Sequence, residues 1–230
     1  GVNGVTGEIV SVDITTNASP NMHVYNPGDG SVINYTGLPD PGIDAFNRLA
    51  FVPNSEVSYL FNLKNNVFVR LDFTPSTPNF TMLTATTPPP ISPNDYIGGD
   101  LVMVNASFGY LLTSGFATGV KHLYSFTVSG NNLTFTELGT ANISGSCSSL
   151  CADPNGSNNL YMNAGTNFYR FNPTTVSGSF FPTLVSSLSP ALATVADFAS
   201  VPYCILDSDL DGVVDDLDPD DDNDGILDTT

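Results

Sequence analysis

The chain has 230 residues, 15 Phe, nine Tyr, no Trp and a formal net charge of −18. That length suits one domain of about 200 residues with an appendage, and that charge makes nucleic acid and anionic membranes poor partners. Neither a signal peptide nor a transmembrane run is read in it, so Gly1 follows a removed leader or is an internal start.

The charge is uneven. Residues 207–230 hold 11 acids and no base, whereas residues 1–206 hold 12 acids and five bases, a net −7. A mildly acidic body is therefore expected at 1–206 and a highly acidic tail at 207–230. Abundant Ser and Thr with few Lys and Arg suit an extracellular, cell-surface setting where calcium is plentiful.

Short β-branched and aromatic runs alternate with Gly, Pro, Asn and Asp turns, which predicts an all-β protein. In chain order the runs are 8–14, 22–26 and 31–37; then 49–53, 58–62, 67–72 and 79–84; then 101–105, 109–113, 122–127 and 133–138; then 150–154, 159–163, 167–172 and 179–184. A last run, 198–202, stands alone. The runs that open each group start at Leu49, Leu101, Leu150 and Phe198, separated by 52, 49 and 48 residues. The third runs share Leu71, Phe126 and Phe171 one place before their polar end, with Tyr25 in the same place. Four strands per period of about 48 residues is the pattern of a β-propeller blade.

The two ends are complementary on this reading. The N-terminus supplies strands 2–4 of one blade and 198–202 supplies its strand 1, closing a ring of four blades of four strands. Closure removes exposed edges. The topology puts Gly1 and the acidic tail on the face of the 1–2 and 3–4 connections. The opposite face carries the 4–1 and 2–3 connections and is expected to be free for binding. Its longest loop, 85–99, is stiffened by Pro88, Pro89, Pro90 and Pro93, and Tyr96, Phe116 and Phe46 are its aromatic candidates.

Chemistry within the body is sparse. Cys147 and Cys151 are near enough in sequence for a disulfide, leaving Cys204 odd; three inert thiols are the alternative. His23 and His122 are too few for a zinc site. Arg70 and Arg170 share a repeat position and are expected to pack their stems and pair with an acid. Asp72, Asp153 and Asp197 are expected to accept backbone hydrogen bonds. An enzyme would need clustered carboxylates on the free face, where only Asp40, Asp44, Asp95 and Asp100 are scattered. No catalytic residue is assigned.

The strongest pattern is at the end. Asp207, Asp209, Asp211, Gly212, Asp215 and Asp218 stand at positions 1, 3, 5, 6, 9 and 12 of a calcium loop, with the carbonyl of Val213 at position 7. A hard cation needs converging oxygens, and Gly212 permits the bend that brings them together. The pattern recurs 13 residues on as Asp220, Asp222, Asp224, Gly225, Ile226 and Asp228. The predicted cofactor is Ca²⁺. Asp in place of Glu at position 12 puts the affinity at about 10⁻⁴ to 10⁻³ M.

This stretch resembles the thrombospondin type 3 repeats of bacterial surface proteins. It resembles dockerin and EF-hand loops less, because no amphipathic helix flanks it. The body resembles propeller domains that stand beside such repeats in large secreted bacterial proteins. The resemblance implies a non-enzymatic adhesion module on a calcium-rigidified stalk, with an extracellular protein or glycan as ligand. Two other readings stay open: a subunit of an extracellular filament or sheath that contacts neighbouring copies of itself, and an enzyme acting on polysaccharide.

Overall fold

The computed structural model describes residues 1–12, 21–36, 38, 48–74, 78–87, 98–114, 119–145, 147, 149–153 and 157–187. Four antiparallel meanders follow one another. The first is β1 (Ile9–Val12), β2 (Met22–Tyr25) and β3 (Val32–Tyr35). The second is β4 (Arg48–Phe51), β5 (Val57–Asn62), β6 (Val67–Asp72) and β7 (Asn79–Thr87). The third is β8 (Gly98–Asn105), β9 (Phe108–Ser114), β10 (Val120–Ser129) and β11 (Asn132–Asn142). The fourth is β12 (Leu150–Ala152), β13 (Leu160–Ala164), β14 (Asn167–Phe171) and β16 (Thr183–Ser187), with a single 3-10 turn at Pro173–Thr175 and the two-residue β15 (Gly178–Ser179) before β16. No α-helix occurs among the described residues. Every predicted strand between 8 and 187 is present, the last one displaced from 179–184 to 183–187 behind β15.

The sheets pack face to face, which explains the strand sequences. β5 and β9 lie inside their sheets and are buried on both faces, so they read as nearly unbroken apolar runs. The outer strand β11 alternates instead, with Leu133 and Phe135 inward and Thr134 and Thr136 outward. One core joins the first and second sheets through Val10, Met22 and Val24 against Phe51, Leu60, Val69 and Leu71. A second joins the second and third sheets around Phe61, Phe68, Phe126 and Phe135, whose ring centroids lie 5.0–6.0 Å apart. A third joins the third and fourth sheets through Tyr110, Leu112 and Leu123 against Leu150, Leu160, Met162 and Phe171. None of the three joins the fourth sheet to the first.

The place that the sequence reading gave to 198–202 is held by other residues. Gly1 exchanges both backbone hydrogen bonds with Val10 at 2.8 Å, Val2 bridges Ile9, and the Asn3 amide donates to the Glu8 carbonyl at 2.8 Å. The same bond recurs from Val52 to Val57 and from Asp153 to Asn159. Gly1–Asn3 thus run beside β1 as a first strand. Under the predicted alignment Ala199 would claim the backbone groups of Val10 that Gly1 already holds. It follows that Gly1 lies alongside the middle of its sheet, not on the face of the 1–2 connections. Residues 198–202 lie outside the described residues.

Pairing also corrects the repeat by one residue. Ala50 pairs Tyr59, Val102 pairs Tyr110 and Cys151 pairs Tyr161. Tyr59, Tyr110 and Tyr161 are therefore equivalent, and 160–164 rather than 159–163 matches the earlier second strands. A shared aromatic 51 residues apart was the available signal.

β11 has partners on both edges. β10 follows it along one side. On the other, residues 132–134 run parallel to β7 and residues 139–140 run parallel to β15. The Thr84 amide donates to the Asn131 carbonyl at 2.8 Å, and Thr86 Oγ1 donates to the Leu133 carbonyl at 3.0 Å.

Cys147 and Cys151 do not form the predicted disulfide; both are free thiols. Cys147 is buried in the core between the third and fourth sheets with Leu150, and strand alternation turns Cys151 to the other side of β12. Cys204 lies outside the described residues.

Candidate functional site

All eleven predicted calcium ligands, Asp207 to Asp228, lie outside the described residues. Among the described residues no three His, Cys, Asp or Glu side chains converge as a metal site would require. The predicted binding loop is shorter than expected, because β7 runs to Thr87 and β8 begins at Gly98. Its prolines, Tyr96, Phe116, Phe46, Asp40, Asp44 and Asp95 are also outside the described residues, as is Asp197.

At the starts of β4, β8, β10 and β12 and the ends of β9 and β13, the described residues bring together a buried polar cluster. Arg48, at the start of β4, is 2% exposed and Lys121, near the start of β10, is 0% exposed. Asp100 accepts from the Leu101 amide at 2.8 Å and from the Leu150 amide at 3.1 Å, so a side chain of the third sheet fixes the first strand of the fourth. Gly99, at φ +102°, donates its amide to the Cys147 carbonyl at 2.6 Å. The Cys147 amide donates to Ser114 Oγ at 3.3 Å, and the Ser149 amide and hydroxyl both donate to Asn163 Oδ1, at 3.0 and 2.9 Å. Lys121 Nζ donates to the Gly119 carbonyl at 3.2 Å.

Burial pulls the Arg48 guanidinium down to about 10 and the Asp100 charge opposes that pull, so it is a cation at neutral pH. Burial pushes the Cys147 thiol up to about 12 and Cys151 to about 11. A thiol held there is protonated at neutral pH and is no nucleophile. The cluster is chemically suited to tying strands together. Asp100, read from the sequence as one of the scattered acids of the free face, is one of its structural members.

The remaining expected polar residues are dispersed. His23 Nδ1 meets Asn34 Oδ1 at 2.6 Å, and His122 Nδ1 meets Glu137 Oε1 at 2.7 Å with its ring stacked 6.4 Å from Tyr124. Arg70 lies 3.9 Å from Asp72, as expected, and Asp72 accepts from the Thr74 amide at 3.1 Å. Asp153 accepts from the Ser157 hydroxyl and, at 3.5 Å, from the Tyr161 hydroxyl.

Arg170 differs from Arg70. Its side chain is exposed, and among the described residues its guanidinium makes no hydrogen bond or ion pair. It borders an open cleft of about 390 Å³ on the face of the 1–2 and 3–4 connections, with Asn159, Asn172, Thr183 and Phe181 among the lining residues. The Phe181 ring is 91% exposed. Sequence reading passed over this cleft. Arg170 looked like a packing residue by analogy with Arg70; the available signal was Asn172, which stands where Arg70 has its partner Asp72.

No protein-family profile matches the chain, and no curated protein does. Similarity appears among solved structures. One is YCF48 bound to D1 peptide, at 14% identity and TM-score 0.45, with 74% of this chain and 49% of that one covered. Another is the nidogen/laminin complex, at 12% identity and TM-score 0.45, with 74% and 62% covered. A third is the N-terminal domain of Nup159, at 7% identity and TM-score 0.45, with 74% and 51% covered. These are β-propeller-like proteins, and the chain spans about half to three-fifths of the length of each.

Proposed function

We propose that this chain is a non-enzymatic, extracellular binding module: a propeller-type body followed by a calcium-rigidified segment. The four sheets are the blades, the first completed by Gly1–Asn3. The observation that carries the reading is the twice-repeated D-x-D-x-D-G pattern at 207–228, where 11 acids without a base repel one another until a divalent cation bridges them. Two bound Ca²⁺ ions would bring that segment from −11 to −7. The body's part is to supply binding surface, since its buried charges are engaged in holding strands together.

Calcium titration by calorimetry, followed by thermal melts with calcium and with chelator, tests the reading. Binding of about two ions with an unchanged body transition is expected. A melt in which the whole fold collapses on chelation would overturn the modular division.

A second reading, a filament or sheath subunit, is favoured by one observation. The outer strands β3 and β16 carry exposed Val32, Ile33, Leu184 and Val185 and no charged residue, and among the described strands each pairs on one side only. Proteins that avoid edge-to-edge pairing commonly place a charge or Pro there. Light scattering separates the two readings: large particles that dissolve on chelation indicate a calcium-joined subunit, and a monomer in both conditions indicates a discrete module.

A further inference from the structure

We propose that the cleft beside Arg170 is a binding site for a carboxylate-bearing saccharide, of the uronic acid class. The inference rests on the binding-module reading and names the ligand class of a site within it. Three features of the cleft converge.

The first is charge. In a chain of net −18, Arg170 is an exposed cation whose guanidinium makes no hydrogen bond or ion pair among the described residues, whereas its repeat equivalent Arg70 lies near Asp72. A guanidinium presents a planar fork that matches a carboxylate with two parallel hydrogen bonds. The second is the aromatic. Phe181 is 91% exposed although its neighbour Phe180 is buried against Phe171, their centroids 4.9 Å apart. An apolar ring left in water beside a polar cleft offers a flat surface to the C–H face of a sugar ring. The third is the pattern of amides and hydroxyls. Asn172, which lines the cleft, uses its Oδ1 to accept from the Thr174 amide and hydroxyl, at 3.0 and 2.7 Å, which leaves its Nδ2 as a donor. Asn159 donates its Nδ2 to Ser157 Oγ at 2.8 Å, which leaves its Oδ1 to accept. Thr183 also lines the cleft. Donors and an acceptor set around one cation and one ring suit a ligand rich in hydroxyls that carries a single carboxylate. The cleft, about 390 Å³, falls within the usual range for small-ligand sites.

An acidic peptide shares the carboxylate but has no flat C–H face for Phe181, so the saccharide is favoured and the peptide becomes an outcome of the test. The experiment titrates the full chain, in chelator so that calcium cannot bridge ligand to the acidic segment, with trigalacturonic acid, with neutral galactotriose and with a tri-aspartate peptide. Wild type is expected to bind the acid sugar at least tenfold more tightly than either comparison ligand, with an affinity that falls as salt rises. Arg170→Gln and Phe181→Ala, both on the surface, are each expected to weaken it at least tenfold while leaving the thermal transition in place. Equal binding of the neutral sugar, stronger binding of the peptide, no binding of the acid sugar by wild type, or full affinity in Arg170→Gln would each overturn the proposal. Those failures leave the module reading standing, because that reading falls only on the calcium titration and melts.

Discussion

The same repeat positions build two different surfaces. Between the second and third sheets, Ala50, Val52, Phe61 and Phe68 face the next sheet and are buried in the aromatic core. At the equivalent positions of the fourth sheet stand Cys151, Asp153, Asn163 and Phe168. One interface is a phenylalanine cluster that needs no polar partners. In the fourth sheet the same positions accept directed bonds from within the sheet, Ser149 donating to Asn163 and Ser157 to Asp153. The strand register does not decide what a position does. It decides which way a side chain points, and the side chain's chemistry then sets whether the position joins a dry core or a buried polar network.

The largest effect that would test this contrast comes from Phe61→Ala. It opens a cavity among Phe68, Phe126 and Phe135 and should cost about 3–5 kcal/mol, read from the shift in urea midpoint. The counterpart Asn163→Ala removes the acceptor of both Ser149 donors and should cost about 1–3 kcal/mol. Equal losses at the two positions would erase the distinction between dry core and polar face. The tyrosines sharpen it further. The Tyr59 hydroxyl donates to the Ala106 carbonyl of the next sheet at 3.0 Å, so Tyr59→Phe should cost about 1 kcal/mol, while Tyr161→Phe, with a 3.5 Å contact to Asp153, should change stability by less than about 0.5 kcal/mol.

The smallest effect at neutral pH lies in the thiols and grows with alkali. Cys147 is held at about 12 in the folded chain against an ordinary 9.0. Below about pH 9 both folded and unfolded thiols are protonated, and the shift contributes nothing. Above it the unfolded thiol releases its proton while the folded one keeps it, so stability falls as pH rises from 9 towards 12. Urea midpoints over that range should decline less steeply in Cys147→Ala than in wild type. Identical slopes would mean that the thiol is not shielded as its place in the core implies.

Much of this fold was legible in the sequence because period and alternation report directly on strands. The runs at 49–53, 101–105 and 150–154 fall on β4, β8 and β12, and the final apolar residues Leu71, Phe126 and Phe171 share one register. What escaped was contact between distant segments. Nothing in the three residues Gly1–Asn3 reads as a strand; they become one because Val10 offers its backbone at the right place. The candidate cleft was overlooked for a different reason. Arg70 and Arg170 share a repeat position, which hid the difference two places on, where Asp72 follows the one and Asn172 the other.

β11 bears on how the molecule comes apart. In a stack of independent repeats each unit can melt while its neighbours persist, and stability is close to a sum over units. Here one eleven-residue strand completes its own sheet while lending its free edge to β7 before it and to β15 after it. To peel the second or the fourth sheet away, backbone bonds to the third must break as well as side-chain contacts. The last three sheets are thereby bound into one cooperative unit, and hydrogen exchange along β11 should be governed by the opening of that whole unit rather than by local fraying.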